Sequence, residues 1–222
     1  MKIFVDTSDI KEIEELNANP LIEGFTTNPT LMKKAGVKDY EAFCKEVLQI
    51  VKDKPVSFEV FADDFGEMER QARKIASWGE NVYVKIPITN TKKQKSLWLI
   101  TKLTEDIKLN ITAITFPSFY IFQEQPMILS YFAGRIADTG RKIDLYKIQE
   151  IKSMARNAEI LWASSREVLN IYQAKEAKAD IITCTPDLIR KYEKFKGMDL
   201  GELSLLTVKQ FYDDAKSCGF TL

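Results

Sequence analysis

Short runs of β-branched and aromatic residues alternate with stretches whose apolar positions recur every three or four residues, from one end of the chain to the other. The runs predict eight strands: Lys2–Thr7, Gly24–Asn28, Val56–Phe61, Val82–Ile88, Lys108–Thr115, Met127–Ala133, Glu159–Ser164 and Asp180–Thr185. Between them the longer period predicts helices over Ser8–Leu16, with Ser8 or Asp9 as N-cap, and over about Lys38–Val51, Asp63–Ser77 and Lys93–Glu105. A further helix falls between the last two strands, Asp187–Phe195 follows the last, and Leu203–Cys218 reads as an extra amphipathic helix. Asn28-Pro29 reads as a turn, and Pro117–Gln125 is a connection without a clear period. About eight β/α units in one domain's length predict an α/β fold, a (β/α)8 barrel. An open doubly wound sheet is the second choice. No low-complexity block or Gly/Ser linker divides the chain, so a single domain over residues 1–222 is expected, with 201–222 a C-terminal helical extension.

One strand breaks its own pattern. In NVYVKIPI, Asn81–Ile88, Lys85 stands among Val82, Tyr83, Val84, Ile86 and Ile88. Lysine is rarely buried without a partner. Loss of hydration disfavours its charged form. A neutral amine is a nucleophile that forms a Schiff base with a carbonyl compound. The structural alternative is a strand-end lysine that reaches water or pairs with a carboxylate, and on this strand alone that reading has the better odds.

Composition narrows the chemistry. The 222 residues are 45% hydrophobic and 29% charged, the profile of a globular protein, with 32 basic and 32 acidic side chains. A net charge of zero gives no field toward nucleic acid or membrane. No apolar run approaches the roughly 20 residues of a membrane span, and the opening MKIFVD does not resemble a secretory signal. Cys44, Cys184 and Cys218 are odd in number and scattered, which fits a reducing, cytoplasmic setting. There is no histidine. That removes imidazole acid–base catalysis, histidine-activated nucleophiles and most zinc sites. Without a GxGxxG or GxxxxGK[ST] run, nucleotide cofactors lose their usual signature as well. Lysine, carboxylates and hydroxyls remain.

In such barrels the strands' C-terminal ends build the active site. Polar residues fall there on every strand: Asp6; Thr26, Thr27 and Asn28; Glu59; Lys85; Asn110 and Thr112; Ser130, with Arg135 just beyond; Ser164 and Arg166; and Thr183, Cys184 and Thr185 on the last. Each has a plain alternative: a helix cap for Asp6 or Ser164, a turn at Asn28, a backbone bond for Thr112, a surface position for either arginine. A closed barrel gathers them around one axis, and so many polar ends about one lysine would be costly as mere structure. Lys85 with Asp6, Glu59, Asn28, Asn110 and Thr112 suits a carbonyl compound and its protons. Ser164, Arg166 and Arg135 suit a phosphate. A phosphorylated sugar reacting through a Schiff base follows.

At FVDTSDIKEI (Phe4–Ile13), GFTTNPTL (Gly24–Leu31), VKIPIT (Val84–Thr89), LNIT (Leu109–Thr112), SYFAGRI (Ser130–Ile136) and ASSREVL (Ala163–Leu169) the chain resembles the transaldolase family, in its small-subunit branch that includes fructose-6-phosphate aldolase. The resemblance implies a class I aldol mechanism with no metal or organic cofactor. It assigns Schiff-base formation to Lys85, proton removal to Asp6, and a water-holding pair to Glu59 and Thr112. It places Thr26, Asn28, Asn110, Ser130 and Phe132 against the substrate, and Arg135, Ser164 and Arg166 against its phosphate. Glu59 and Phe132 resemble the members that transfer a dihydroxyacetone unit from sedoheptulose 7-phosphate or fructose 6-phosphate to an aldose phosphate, as in the pentose phosphate pathway. The aldolase type, which releases free dihydroxyacetone, has glutamine and tyrosine at the matching places. The resemblance further implies a homo-oligomer, a pentamer or decamer, in which the C-terminal helix reaches a neighbour. Tyr131, Ser165, the IADTGRK segment (Ile136–Lys142) and the aromatic loop Thr115–Gln125 depart from the family pattern beside the phosphate and acceptor region. A specialised acceptor, an aldolase, or a sugar-phosphate binding protein without catalysis are the competing readings; retention of Lys85 and Asp6 counts against the last.

Overall fold

The β-branched runs are buried on both faces, as strands of a parallel sheet covered on both sides require. Val82, Val84 and Ile86 of the fourth strand are fully or almost fully buried, and Lys85, on the opposite face, is only 6% exposed. In the computed structural model, which describes residues 1–116, 126–155 and 157–221, eight such strands close into a parallel barrel in sequence order. They are β1 (Lys2–Asp6), β2 (Ile22–Thr26), β3 (Val56–Glu59), β4 (Val82–Pro87), β5 (Leu109–Ile114), β6 (Met127–Tyr131), β7 (Ala158–Trp162) and β8 (Ile181–Cys184). The expected fold and all eight expected strands are present, with ends displaced by a few residues.

Two apolar layers hold the barrel. The larger lies between strands and helices and includes Val5, Phe25, Phe58, Val84, Ile86, Ile111, Ile160 and Trp162. The smaller lies inside the barrel: Phe4, Ile128, Leu161, Ala163 and Ile181, with Tyr83 and Phe132 against it. Gly24 makes the inner layer possible, because a Cβ there would sit 2.6 Å from the Phe4 ring. With the period of two, the next inward residue toward the C-terminal end is Asp6 on β1, Lys85 on β4, Ser130 on β6 and Thr183 on β8. An apolar plug thus carries a polar layer above it.

Around the barrel run α1 (Ile10–Asn17), α2 (Pro29–Lys34), α3 (Tyr40–Ile50), α4 (Phe65–Ala76), α5 (Leu97–Leu103), α6 (Ala133–Ala137), α7 (Leu145–Met154), α8 (Leu169–Glu176), α9 (Pro186–Phe195) and α10 (Leu200–Ser217). Asp9, Asn28, Asp39, Asp64, Asp144 and Asp199 cap their helices with side-chain oxygens on first-turn N–H groups. Asp9, not Ser8, is the cap of α1. Three helices were not expected. The Asn28-Pro29 turn opens α2, because asparagine caps and proline at the first position favours a helix as readily as a turn. The expected strand over Met127–Ala133 ends at Tyr131 and continues as α6, and α7 lies within a stretch of weak period. The helix expected over Lys93–Glu105 is shortened to α5, because Thr89 and Lys95 form a bridge and Asn90 accepts from the backbone of Lys92 and Gln94. The expected Leu203–Cys218 helix is α10; none of its residues is buried, and Leu205, Val208, Phe211 and Tyr212 are each more than half exposed. Within the Thr115–Gln125 loop, Phe119, Tyr120 and Phe122 lie outside the described residues. Among those described, no helix is long and apolar enough to cross a membrane.

Candidate active site

Strand register brings the polar ends together. Glu59 pairs across from Lys85, Lys85 from Asn110, and Asp6 from Thr26, so neighbouring strands deliver neighbouring side chains at one level of the barrel. Above them opens a cavity of about 440 Å³, within the range of small-molecule sites. Of the sequence-predicted residues, Asp6, Thr26, Asn28, Glu59, Lys85, Thr112, Ser130, Phe132, Arg135, Ser164 and Arg166 all line it. Asn110 does not. It is fully buried beneath the wall, donating to Ser57 Oγ at 3.1 Å and accepting from Ser130 Oγ at 2.6 Å. Both its oxygen and its amide are engaged with neighbouring side chains, and Ser130 is the member of that chain on the cavity.

Lys85 Nζ donates to the Thr27 carbonyl at 2.9 Å and lies 3.3 Å from Glu59 Oε2. Glu59 is itself steadied through its backbone, since the Tyr40 hydroxyl donates to its carbonyl at 2.6 Å. The Asp6 carboxyl is held above the ordinary aspartate range, first by burial; Lys85, Thr26, Asn28 and Arg166 oppose that shift. Thr26 Oγ1 donates to Asp6 Oδ1 at 2.8 Å and shares a 2.7 Å hydroxyl contact with Thr183. Asn28 Nδ2 lies 3.4 and 3.5 Å from the two Asp6 oxygens. Thr112 is 1% exposed and its Oγ1 has no hydrogen-bond partner among the described residues. A buried hydroxyl left unpaired on a cavity wall is unusual and points to a ligand or water as its partner. Burial pushes the nearby Cys184 thiol up to about 12, which removes it as a competing nucleophile at neutral pH.

The arginines come from α6 and from the turn after β7. Gly134 lets those two segments meet: a Cβ there would lie 1.6 Å from the Ser164 carbonyl oxygen. Ser164 itself adopts a left-handed φ of 63°, as does Ala113 at 64°, so two cavity-lining residues carry backbone strain. Arg166 is not free. Its Nε and Nη2 donate to Asp138 Oδ1 and Oδ2 at 3.1 and 2.8 Å. Arg135 has no carboxylate partner among the described residues. Ser165 donates its hydroxyl to the Thr183 carbonyl at 2.8 Å.

Sequence reasoning left Asp138, Lys34 and Thr183 out of the site. Asp138 is one helical turn beyond Arg135, a spacing visible only once Ala133–Ala137 is read as helix. Lys34 lines the cavity from the last turn of α2, and reading α2 as a turn hid it. Thr183 was noted at a strand end without a partner to suggest its bond to Thr26.

The model of one protein family, described as transaldolase/fructose-6-phosphate aldolase, matches residues 3–221. A Brucella ovis protein named probable transaldolase is 36% identical over 209 residues, covering 90% of this chain and 93% of that one. A probable transaldolase of Methanococcus maripaludis is 35% identical over 197 residues, covering 86% of this chain and 89% of its own. Among solved structures, 3-hexulose-6-phosphate synthase from Salmonella typhimurium superposes with a TM-score of 0.55 at 11% identity, over 83% of this chain and 89% of that one. Type I 3-dehydroquinate dehydratase from Clostridium difficile gives 0.53 at 10%, over 83% of each chain. At such identities the likeness shows the barrel fold alone.

Proposed function

The chain belongs to the transaldolase/fructose-6-phosphate aldolase family, and from that premise we propose that it is a transaldolase moving a dihydroxyacetone unit from a ketose phosphate to an aldose phosphate through a Schiff base on Lys85. The observation that carries this reading is Lys85 itself: a buried amine, 3.3 Å from Glu59, on the wall of a cavity that also holds Asp6 and two arginines.

The amine attacks the C2 carbonyl of the ketose, and loss of water gives the iminium. Glu59, beside Lys85, moves protons for that step, and Thr112 Oγ1 holds the water with it. Asp6 takes the proton of the C4 hydroxyl, the C3–C4 bond breaks, and the aldehyde leaves with the lysine-bound enamine behind. A base above the ordinary aspartate range matches that task better than a solvated carboxylate does. Addition of the enamine to a second aldehyde, with Asp6 returning its proton, and hydrolysis of the iminium complete the transfer. Thr26 and Thr183 hold Asp6, Asn28 and Ser130 face the hydroxyls of the three-carbon unit, and Phe132 closes the side of the cavity. Asn110 acts through Ser130. Arg135, Ser164 and Arg166 receive the phosphate. The unburied apolar side chains of α10 support a homo-oligomer in which that helix packs on a second copy.

The test is release of glyceraldehyde 3-phosphate from fructose 6-phosphate, with and without erythrose 4-phosphate. Release that requires the acceptor supports transfer. Equal release in its absence replaces transfer with aldol cleavage, and silence in both, together with no borohydride-trapped adduct on Lys85, rejects the reading.

A further inference from the structure

We propose that Asp138 is a positioning residue: it orients Arg166 at the cavity mouth so that the arginine meets the anionic group of the substrate end-on, and it thereby sets the preference for phosphorylated sugars. This rests on the sugar-phosphate reading above. Asp138 caps the C-terminal end of α6, one turn after Arg135, and grips Arg166 side-on through two bonds, Nε to Oδ1 and Nη2 to Oδ2. A guanidinium has five N–H groups arranged as a planar fork. The side-on pair occupies two of them and leaves both Nη1 hydrogens and the second Nη2 hydrogen, which together form a second edge able to take two oxygens of a phosphate. Asp138 therefore fixes the plane of the fork without consuming its ligand edge.

The pair has little structural reason to exist. Both side chains are nearly half exposed, 46% for Arg166 and 43% for Asp138, and exposed ion pairs contribute little to stability. Its position is what distinguishes it. Arg166 lines the cavity, and the other carboxylate whose charge acts on it is Asp6, the proposed base. Released from Asp138, the guanidinium would sample many rotamers, some of them turned toward Asp6, and a ligand would have to order it on binding. Asp138 also brings a negative charge near the phosphate, which opposes binding. The preorganised fork outweighs that charge because both groups sit at a solvent-screened rim.

The experiment titrates the full-length protein with inorganic phosphate by calorimetry and, in parallel, compares kcat/KM for fructose 6-phosphate and for unphosphorylated fructose. Variants are D138A, D138N, D138E and R166A. D138A and D138N are expected to weaken phosphate binding about three- to tenfold and to lower the phosphorylated-over-unphosphorylated preference by a similar factor, the scale of one side chain ordered by its ligand. D138E restores part of both, and melting temperatures stay close to wild type. Unchanged or tighter phosphate binding in D138A and D138N overturns the proposal, since Asp138 would then only compete with phosphate for Arg166. Phosphate binding that R166A does not weaken overturns it too. Phosphate binding without any trapped ketose phosphate on Lys85 would refute the catalytic reading while the titration still decides the role of Asp138.

Discussion

Replacing Thr112 by valine should move stability and activity in opposite directions. The two side chains have nearly the same shape, so the exchange removes a hydroxyl and leaves packing alone. In the free protein that hydroxyl is buried and unpaired. An unpaired buried polar group costs about 1–3 kcal/mol, and a water reaching it from the cavity returns part of that, so Thr112→Val should gain about 1 kcal/mol. For a chain of this size, such a gain raises Tm by about 2–4 °C. Turnover should fall about ten- to a hundredfold, equivalent to about 1.4–2.7 kcal/mol of lost transition-state stabilisation, because the hydroxyl is proposed to hold the water that serves Glu59 and Lys85. Thermal melting of the ligand-free protein and steady-state transfer from fructose 6-phosphate to erythrose 4-phosphate measure the two quantities. Thr112→Ser is the control: it keeps the hydroxyl and much of the rate but loses a buried methyl and some stability. A valine variant that melts lower while keeping wild-type turnover would refute the reasoning, since the hydroxyl would then be a structural donor.

Four other outcomes are expected. Lys85→Met should abolish the borohydride-trapped adduct and turnover alike, and mass spectrometry of the trapped wild type should place the substrate mass on the peptide that contains Lys85. Thr26→Val removes a bond that lowers the Asp6 pKa, so the acid limb of the kcat profile should move to higher pH; activity needs ionised Asp6 and is lost as pH falls through that limb. The same raised pKa means that ionised Asp6 weakens the fold at neutral pH. Asp6→Asn should therefore raise Tm there, with the gain shrinking as pH falls toward the ordinary aspartate value. Gly134→Ala places a Cβ 1.6 Å from the Ser164 carbonyl. It should destabilise by about 1–3 kcal/mol or more, the range for overpacking, and raise KM for phosphorylated substrates, both read from one purified variant.

Much of the site was legible because its elements carry their own signals. Lys85 stands out in a β-branched run, Asp6 and Glu59 end strands whose period was clear, and Arg135 and Ser164 follow strands of the same kind. What escaped notice depends on short helices or on long-range partners. Lys34 ends a helix of six residues and Asp138 caps one of five, too brief for a 3.6-residue period to register. Asn110 and Thr183 look alike in sequence, as polar residues on apolar strands, yet one is bonded beneath the cavity wall and the other lines it.

The sequence by itself determined the eightfold alternation, the lysine at its centre and the exclusion of histidine chemistry, because hydrophobic periodicity and residue type are local properties. Only the tertiary structure decided which polar residues share the cavity, which arginine is already held by a carboxylate and which hydroxyl is left unpaired. Barrel closure fixes strand register between the two ends of the chain, as between Lys2 and Ile181, and sets side-chain partners 157 residues apart, as Thr26 and Thr183; partnership at that range has no local signature.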